Sequence, residues 1–352
     1  MATNAVWRRI ISFSGMTISV AELLLSLVVI LIAAQLFTNG LEHLGARLTL
    51  SEGVTGSLFA AVGTALPETT VPFLALFAGT TDVNVNEEIG VGAILGAPLM
   101  LSTLSIGLMT FAVLGRRGVR GHLRPEHGGL TRDLNFFLFA FVLTTIAMFV
   151  PQEPRYTRAI LSAALALTYF AYLLFTLRAS DKLVEHGHKT EAENKLLISR
   201  LRLPSNWATI ILQLIIGLAL LIGGAKVFIF GVEGVSTHLG LSALLLSLLI
   251  IPVATELPEK INSILWIRRG KDTLAFGNIT GALVFQGTVL PAIGILLTPW
   301  QPRIEVLMGV LVTLLATAWL RLMALRRGGL PVWVPLVNIL LYVAYLAVTL
   351  TR

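Results

Sequence analysis

Long apolar stretches recur along the whole chain, and they constrain its fold more than any other feature of the sequence. An α-helix needs about 20 mostly apolar residues to cross a bilayer. The chain holds about ten such segments, and only 13% of its residues are charged. The pattern predicts an all-α polytopic membrane protein, with helices at roughly 17–38, 50–80, 89–114, 133–151, 157–177, 207–231, 242–267, 272–297, 303–320 and 331–350.

The distribution of basic residues predicts which loops face the cytoplasm, since Lys and Arg are enriched there. Of the 26 Lys and Arg residues, 18 lie in connections that follow odd-numbered predicted helices, and 6 lie on the other side. We therefore expect both termini outside the cytoplasm, in a protein of the plasma or inner membrane. Indole rings prefer the membrane interface, and five tryptophans lie near predicted helix ends. These are Trp207, Trp266, Trp300, Trp319 and Trp333.

Other classes of function find little support in the sequence. The net charge of +7 does not indicate nucleic-acid binding, because the basic residues are divided among short loops. The chain has no cysteine, which excludes disulfides. The histidines lie in predicted loops, and we find neither a nucleophile–base pair nor a cofactor loop. We therefore expect neither an enzyme nor a resident cofactor.

A proline–glutamate motif occurs twice, and it reveals an internal repeat. Residues 63–68 read GTALPE and residues 254–259 read ATELPE, 191 positions later. Around the motif, 12 of the 33 aligned positions between 36–68 and 227–259 are identical, including Gly, Glu, Ser, Thr and Pro. Each half contains about five predicted spans, and an odd number inverts the second half relative to the first.

The repeat predicts the organisation of the chain. We expect a first five-helix repeat at 1–177, a cytoplasmic linker at 178–206 and an inverted five-helix repeat at 207–352. Interrupted helices at corresponding positions of inverted repeats indicate a transporter with its site near the bilayer midplane.

The prolines of the motif release backbone oxygens inside the membrane. Proline has no N–H and clashes with the carbonyl four residues before it. Pro67 is therefore expected to free the carbonyl of Gly63, and Pro258 that of Ala254. A freed carbonyl at this depth needs another partner, and a cation can supply one.

The glutamates of the motif add charge at the same place. Glu68 and Glu259, related by the repeat, could offer two carboxylates to Ca²⁺ or Na⁺, which both prefer oxygen ligands. Burying each charge costs roughly 2.5–3.5 kcal/mol, which a cation or a proton offsets. The alternative is that the prolines only kink the helices and the glutamates are protonated or hydrogen-bonded.

A glycine-rich helix follows each motif, at 90–100 (GVGAILGAPLM) and 276–287 (FGNITGALVFQG). Glycines four residues apart allow close helix packing, and we expect both helices to pack against the site. The polar residues Asn278 and Gln286 could face it. The glycine pairs are Gly92/Gly96 and Gly277/Gly281.

These motifs resemble the cation/calcium exchanger superfamily, which includes the sodium/calcium exchangers. LTLSEGVTGSLFAAVGTALPE and LGLSALLLSLLIIPVATELPE are similar to its first element, and GNITGAL to part of its second. The resemblance implies Ca²⁺ coordination by Glu68 and Glu259, assisted by the backbone of Thr64 and Thr255. It also implies alternating access around this site.

The sequence departs from the family at positions that contribute to its sodium sites. The departures are Ala65, Ala97, Ala282, Leu101, Glu256 and Gln286. Several neutral oxygens are thus replaced, and one carboxylate is added. Glu256 and Glu259 would share a helix face, where two close carboxylates favour sharing one proton.

Two lysines lie within predicted spans. Lys260 is expected to point about 100° away from Glu259 and either snorkel or reach another helix or a vestibule. Lys226 either neutralises a site glutamate or has no part in the site.

The sequence therefore predicts a secondary active antiporter that exchanges Ca²⁺ for Na⁺ or H⁺ by alternating access. The alternatives are a proton-coupled or monovalent-cation exchanger, and a non-transporting ion-binding membrane sensor. The expected partners are inorganic cations and the lipid bilayer, and the oligomeric state is open. The candidate ligands are Glu68, Glu259, Thr64, Thr255, Glu256, Gln286, Gly63 and Ala254.

Overall fold

The computed structural model describes residues 2–47, 61–184, 195–326 and 328–351, and these form an almost entirely helical fold. The helices are α1 (Ala2–Arg47), α2 (Ala61–Ala78), α3 (Val83–Met100), α4 (Ile106–Arg117), α5 (His127–Ala147), α6 (Arg155–Val184), α7 (Trp207–Leu239), α8 (Ala243–Thr255), α9 (Leu257–Arg268), α10 (Asp272–Leu297), α11 (Ile304–Met323) and α12 (Trp333–Leu350). A π-helical segment at Leu101–Ser105 joins α3 to α4, and a 3₁₀ turn occupies Leu197–Leu201. Two-residue strands β1 (His122–Leu123) and β2 (Leu330–Pro331) pair antiparallel.

Eight helices in the described ranges are long and apolar enough to cross a membrane. They correspond to eight of the ten predicted spans. The apolar parts of the two motif helices are shorter, at Glu68–Ala78 and Ala243–Val253. The predicted fold class, an all-α polytopic membrane protein built from inverted five-helix repeats, is confirmed. The division into repeats at 1–177 and 207–352 stays a prediction.

Several predicted boundaries were wrong. Helix α1 runs to Arg47 rather than ending near residue 38, and α5 begins at His127 rather than 133. The early start of α5 has a local cause, since the Glu126 carboxylate accepts hydrogen bonds from the N–H groups of Gly128 and Gly129. The predicted helix at 242–267 is interrupted at Glu256. Residues 50–60 of the second predicted helix lie outside the described part.

The first of two compact units comprises residues 1–90 and 177–247. Its main feature is the packing of α1 against α7. A Cβ on Gly217, Gly224 or Gly231 would lie 2.8–3.0 Å from atoms of Phe37, Ile30 and Leu23, respectively. Glycine at every seventh position of α7 therefore brings two antiparallel helix backbones together.

The second compact unit comprises residues 91–176 and 248–352. Polar groups join its helix ends. The Arg117 guanidinium pairs with both carboxylate oxygens of Asp272, at 2.6 Å each. Arg158, which is buried, donates to backbone carbonyls that include Thr298 (3.1 Å) and Pro299 (2.7 Å) at the end of α10. Trp300 is buried and donates to the carbonyl of Thr144 at 3.2 Å. Its ring therefore packs inside the protein, near the end of α10, rather than against lipid.

Candidate cation site

The second copy of the motif lies at a break between two helices. Helix α8 ends at Thr255 and α9 begins at Leu257, with Glu256 between them. Pro252 and Pro258 lack the N–H groups that would otherwise donate to the carbonyls of Leu248 and Ala254. The N–H of Glu256 still donates to Pro252 O at 3.2 Å. The predicted interruption is therefore present, and the prolines remove two backbone donors at this point of the apolar segment.

Three polar side chains of this unit are buried at the break. Glu256, Glu259 and Gln286 are 0%, 3% and 2% exposed. Gln286 Nε2, from α10, donates to Glu256 Oε1 at 2.6 Å. The structure thus brings together the extra carboxylate and the amide that the sequence indicated.

Each of these side chains retains an unused oxygen. Within the described part of the chain, Glu256 Oε2, Glu259 Oε2 and Gln286 Oε1 are buried and have no hydrogen-bond partner. Leaving a buried acceptor unsatisfied costs roughly 1–3 kcal/mol, and more for a charged group. Two carboxylates and one amide oxygen form a hard, anionic donor set, which suits a divalent cation such as Ca²⁺. The residues present therefore fit a bound cation.

Lys260 differs from the expectation of a snorkelling side chain. It is 5% exposed, and its Nζ donates to the carbonyl of Pro252 at 3.1 Å. The ammonium thus lies at the carboxyl end of α8, where the helix dipole attracts positive charge. In contrast, Lys226 is exposed on α7, which gives no support to its role as a counter-charge for a site glutamate.

Asn278 holds α10 against the motif helix. Its Nδ2 donates to the backbone carbonyl of Glu259 and to Ser263 Oγ, both at 3.2 Å. Ser263 in turn donates to Ala275 O at 3.1 Å. Asn278 therefore contacts the backbone of the motif rather than offering its side chain to a cation. It positions α9, and with it Glu259.

The glycine pairs behave differently in the two halves. A Cβ on Gly96 would lie 2.4 Å from Leu248 O and 2.8 Å from Pro252 Cγ. The glycine in α3 thus allows close approach to the carbonyl that Pro252 leaves without a helical donor. Among the described residues, by contrast, no atom lies within 4 Å of a Cβ added at Gly277, and a Cβ at Gly281 would meet only Tyr172, at 3.5 Å. The expected close packing is present at Gly96. Helix α10 also contacts the motif helices, but through Asn278 and Gln286 rather than through its glycines.

The remaining candidate ligands lie in the motif helices themselves. Glu68 is 4% exposed in α2 of the first unit. Thr255 is buried, and its hydroxyl donates to Ile251 O at 3.1 Å, leaving its oxygen lone pairs available. The surroundings of Gly63 and the side chains of Thr64 and Ala254 lie outside what the structure describes.

A buried acid on α5 was missed in the sequence. Asp133 is 4% exposed and accepts a 2.6 Å hydrogen bond from Thr280 on α10, the helix that carries Gln286. The available signal was an acid inside an apolar helix, which is a candidate for function by default. Its place at a predicted helix start concealed that signal.

Comparisons with known proteins show which family the chain resembles. A sequence profile described as sodium/calcium exchanger protein matches residues 18–178 and 209–351. CaxA of Alkalimonas amylolytica, which is named as an antiporter, is 26% identical over 334 residues, covering 90% of this chain and 92% of CaxA. The sodium/calcium exchanger MaX1 of Methanosarcina acetivorans is 24% identical over 360 residues, covering 94% of this chain and 98% of MaX1.

A solved structure shows the same fold. The H⁺/Ca²⁺ exchanger CAX matches with a TM-score of 0.64 and 17% identity, over 94% of this chain and 88% of that chain. Since the family profile spans most of the sequence in both halves, the protein belongs to the sodium/calcium exchanger family.

Proposed function

We propose that this cation exchanger transports Ca²⁺ in exchange for H⁺ or Na⁺, and that the carboxylates of Glu68 and Glu259 bind the transported ion. The observation that carries the proposal is the set of buried, unpaired oxygens at Glu256, Glu259 and Gln286. Glu68 enters through the sequence repeat, which aligns it with Glu259. Alternating access of this site to the two sides of the membrane would couple the opposite fluxes.

The donor atoms favour Ca²⁺ as the substrate. Ca²⁺ takes six to eight oxygen ligands, and carboxylates supply both ligands and neutralising charge. Carbonyls beside the motif prolines can complete the set, those of Ala254 and Thr255 in the second motif and of Gly63 and Thr64 in the first. Gln286 would hold Glu256 in place through its 2.6 Å hydrogen bond.

The environment of Lys260 favours a larger contribution of protons than of sodium. Its ammonium contacts the end of α8, where carbonyl oxygens would otherwise suit a monovalent cation. The family's neutral oxygens are also replaced by Ala65, Ala97, Ala282 and Leu101. A neighbouring pair of carboxylates, in contrast, can share a proton and release it. Among similar proteins, MaX1 is named a sodium/calcium exchanger and CAX an H⁺/Ca²⁺ exchanger, so both couplings have precedent.

The test is Ca²⁺ uptake into proteoliposomes with each gradient imposed separately. An outward Na⁺ gradient at constant pH is compared with a pH gradient without Na⁺. We expect uptake driven by the pH gradient to exceed that driven by sodium. Uptake only with sodium would contradict the proposed coupling, and Ca²⁺ binding without any flux would identify an ion sensor.

The orientation of the protein is a further part of the proposal. The basic loops favour external termini and a cytoplasmic 178–206 linker, in the plasma or inner membrane. With this orientation, the state of the transporter that opens toward the termini would be the outward-facing state.

A further inference from the structure

A cavity of about 610 Å³ lies in the second unit, at the ends of α5 and α11. Three of its lining side chains can carry positive charge: Arg124, His127 and Arg326. Its apolar lining includes Leu130, Leu325 and Leu330. No carboxylate belongs to the described lining. The cavity therefore combines a cationic rim with an apolar wall, at the ends of two membrane-spanning helices.

Glu126, the acidic residue nearest in sequence to the lining residues Arg124 and His127, is already hydrogen-bonded to backbone N–H groups. The Glu126 carboxylate accepts hydrogen bonds from Gly128 N at 2.6 Å and Gly129 N at 2.5 Å. It caps the start of α5 and partly offsets the positive end of that helix. Among the described residues, neither Arg124 nor Arg326 forms an ion pair with a carboxylate. Their charge is therefore available to a ligand.

Aromatic rings place the cavity at the level of the lipid headgroups. The Arg326 guanidinium lies 5.6 Å from the centre of the Trp333 ring. Trp333, which is 45% exposed, is 5.7 Å from the ring of Trp319. Tryptophan is enriched at the membrane interface, where its ring is apolar on one side and hydrated on the other. A ligand bound beside Arg326 would thus lie at the depth of a phosphate headgroup.

The surface next to the cavity is suited to an acyl chain. Leu322 and Leu325, at the end of α11, are 55% and 58% exposed. In a bilayer these side chains contact lipid. A phospholipid could therefore place its phosphate among the arginines and its acyl chain along the exposed leucines of α11.

We infer that this cavity binds the headgroup of an anionic phospholipid. Basic pockets between membrane helices recognise such headgroups by charge attraction, and a volume of about 610 Å³ falls in the range of small-molecule sites. Arg124 and Arg326 are the phosphate-binding residues, and the leucines contact the glycerol and upper acyl chain. This site is separate in sequence and chemistry from the buried carboxylates of the motif.

The experiment measures lipid binding to the full chain in a neutral detergent. Phosphatidylglycerol and phosphatidylcholine with identical acyl chains are titrated, and bound lipid is counted by native mass spectrometry. Melting temperatures are measured in parallel, with inorganic phosphate as the third ligand. We expect at least roughly tenfold preference for phosphatidylglycerol, and a rise in melting temperature only with that lipid.

Substitutions localise the effect. The double variant Arg124→Gln/Arg326→Gln should bind phosphatidylglycerol roughly 30-fold more weakly, while Arg124→Lys/Arg326→Lys should retain binding. Arg120→Gln is the matched control, because Arg120 is an exposed residue in the same loop that does not line the cavity. It should bind like the wild type.

Three results would overturn the inference. Equal binding of the two lipids by the wild type would exclude recognition of the anionic headgroup, whatever the variants do. A melting-temperature rise of the same size with inorganic phosphate would indicate a small-anion site instead. Undiminished binding in a folded double glutamine variant would place the lipid elsewhere.

Discussion

The two copies of the proline–glutamate motif are related in sequence but differ in structure. In the second copy, ATELPE, the helix is interrupted at Glu256 between α8 and α9. In the first, GTALPE, the motif lies within α2, which runs from Ala61 to Ala78 without interruption. The repeat therefore preserves the carboxylate while the local backbone differs.

The charges of the two copies also differ, although their sum does not. At the positions where the second copy has Glu256 and Lys260, the first has Ala65 and Thr69. The added acid and the added base cancel formally, so each motif has one net negative charge. The second copy thus acquired a carboxylate pair and an internal cation without changing its total charge. Under the proposed function, both copies bind the substrate and the second determines the counter-ion.

The largest effect is expected from neutralising the glutamate that ends the motif in each copy, Glu68 or Glu259. Glu259→Gln should reduce Ca²⁺ flux by at least roughly 100-fold, since a carboxylate ligand becomes a neutral amide. Glu68→Gln should have the same effect. Flux in proteoliposomes is the measurement, with Glu153→Gln at an exposed position as the matched control. Near-normal flux in either variant, with the protein folded, would exclude a site that uses both carboxylates.

The glycine helices beside the motifs provide a comparison of stability. Gly96→Ala should destabilise the protein by about 1–3 kcal/mol, because the added Cβ would lie 2.4 Å from Leu248 O. Gly277→Ala should be neutral or stabilise by up to about 1 kcal/mol, since that position is open and alanine favours helix. Thermal unfolding in detergent distinguishes them. Equal melting temperatures for the two variants would mean that the contact at Gly96 relaxes without cost.

Much of the fold follows from the sequence because the bilayer restricts helix length and demands apolar surfaces. Helix ends were less predictable. Hydropathy does not indicate the polar extension of α1 to Arg47, and the early start of α5 depends on the hydrogen bonds of Glu126. The π-helical segment at Leu101–Ser105 left no recognisable signal. One of its carbonyls, that of Ser102, accepts a 2.7 Å hydrogen bond from Asn338, a residue far away in the sequence.

The candidate site was predictable where chemistry is local to the motif. Pro258 predicted the interruption, and the spacing of Glu256 and Glu259 predicted a shared acidic site. The contact of Lys260 with Pro252 O was not predictable, because a lysine in a membrane helix usually snorkels. The pairing of Asp133 with Thr280 depends on helix packing, which hydropathy does not report.

A moderate effect is expected from Lys260→Thr, which copies the first repeat. The substitution removes a buried positive charge near two carboxylates, and the loss of its repulsion of Ca²⁺ should contribute about 1–2 kcal/mol. The apparent KM for Ca²⁺ should fall roughly tenfold. Lys226→Thr is the matched control, since Lys226 is exposed on α7. An unchanged KM in Lys260→Thr would show that the ammonium does not act on the transported ion.

The smallest effect is expected on the choice of counter-ion. It is tested by substitutions that give the second copy the serine of the family at Glu256 and the threonine of the first copy at Lys260. Glu256→Ser alone leaves Lys260 opposite a single carboxylate, so Ca²⁺ affinity should fall. Glu256→Ser combined with Lys260→Thr restores one net negative charge and adds a neutral oxygen at the family's sodium position. In the double variant we expect affinity near the wild-type value and a shift of about threefold from proton-driven toward sodium-driven uptake, roughly 0.7 kcal/mol. The measurement is the ratio of Ca²⁺ uptake under a Na⁺ gradient to that under a pH gradient, in the double variant and in each single variant. If the ratio is unchanged while affinity recovers, the charges of the second copy are balanced for binding alone and the counter-ion is selected elsewhere.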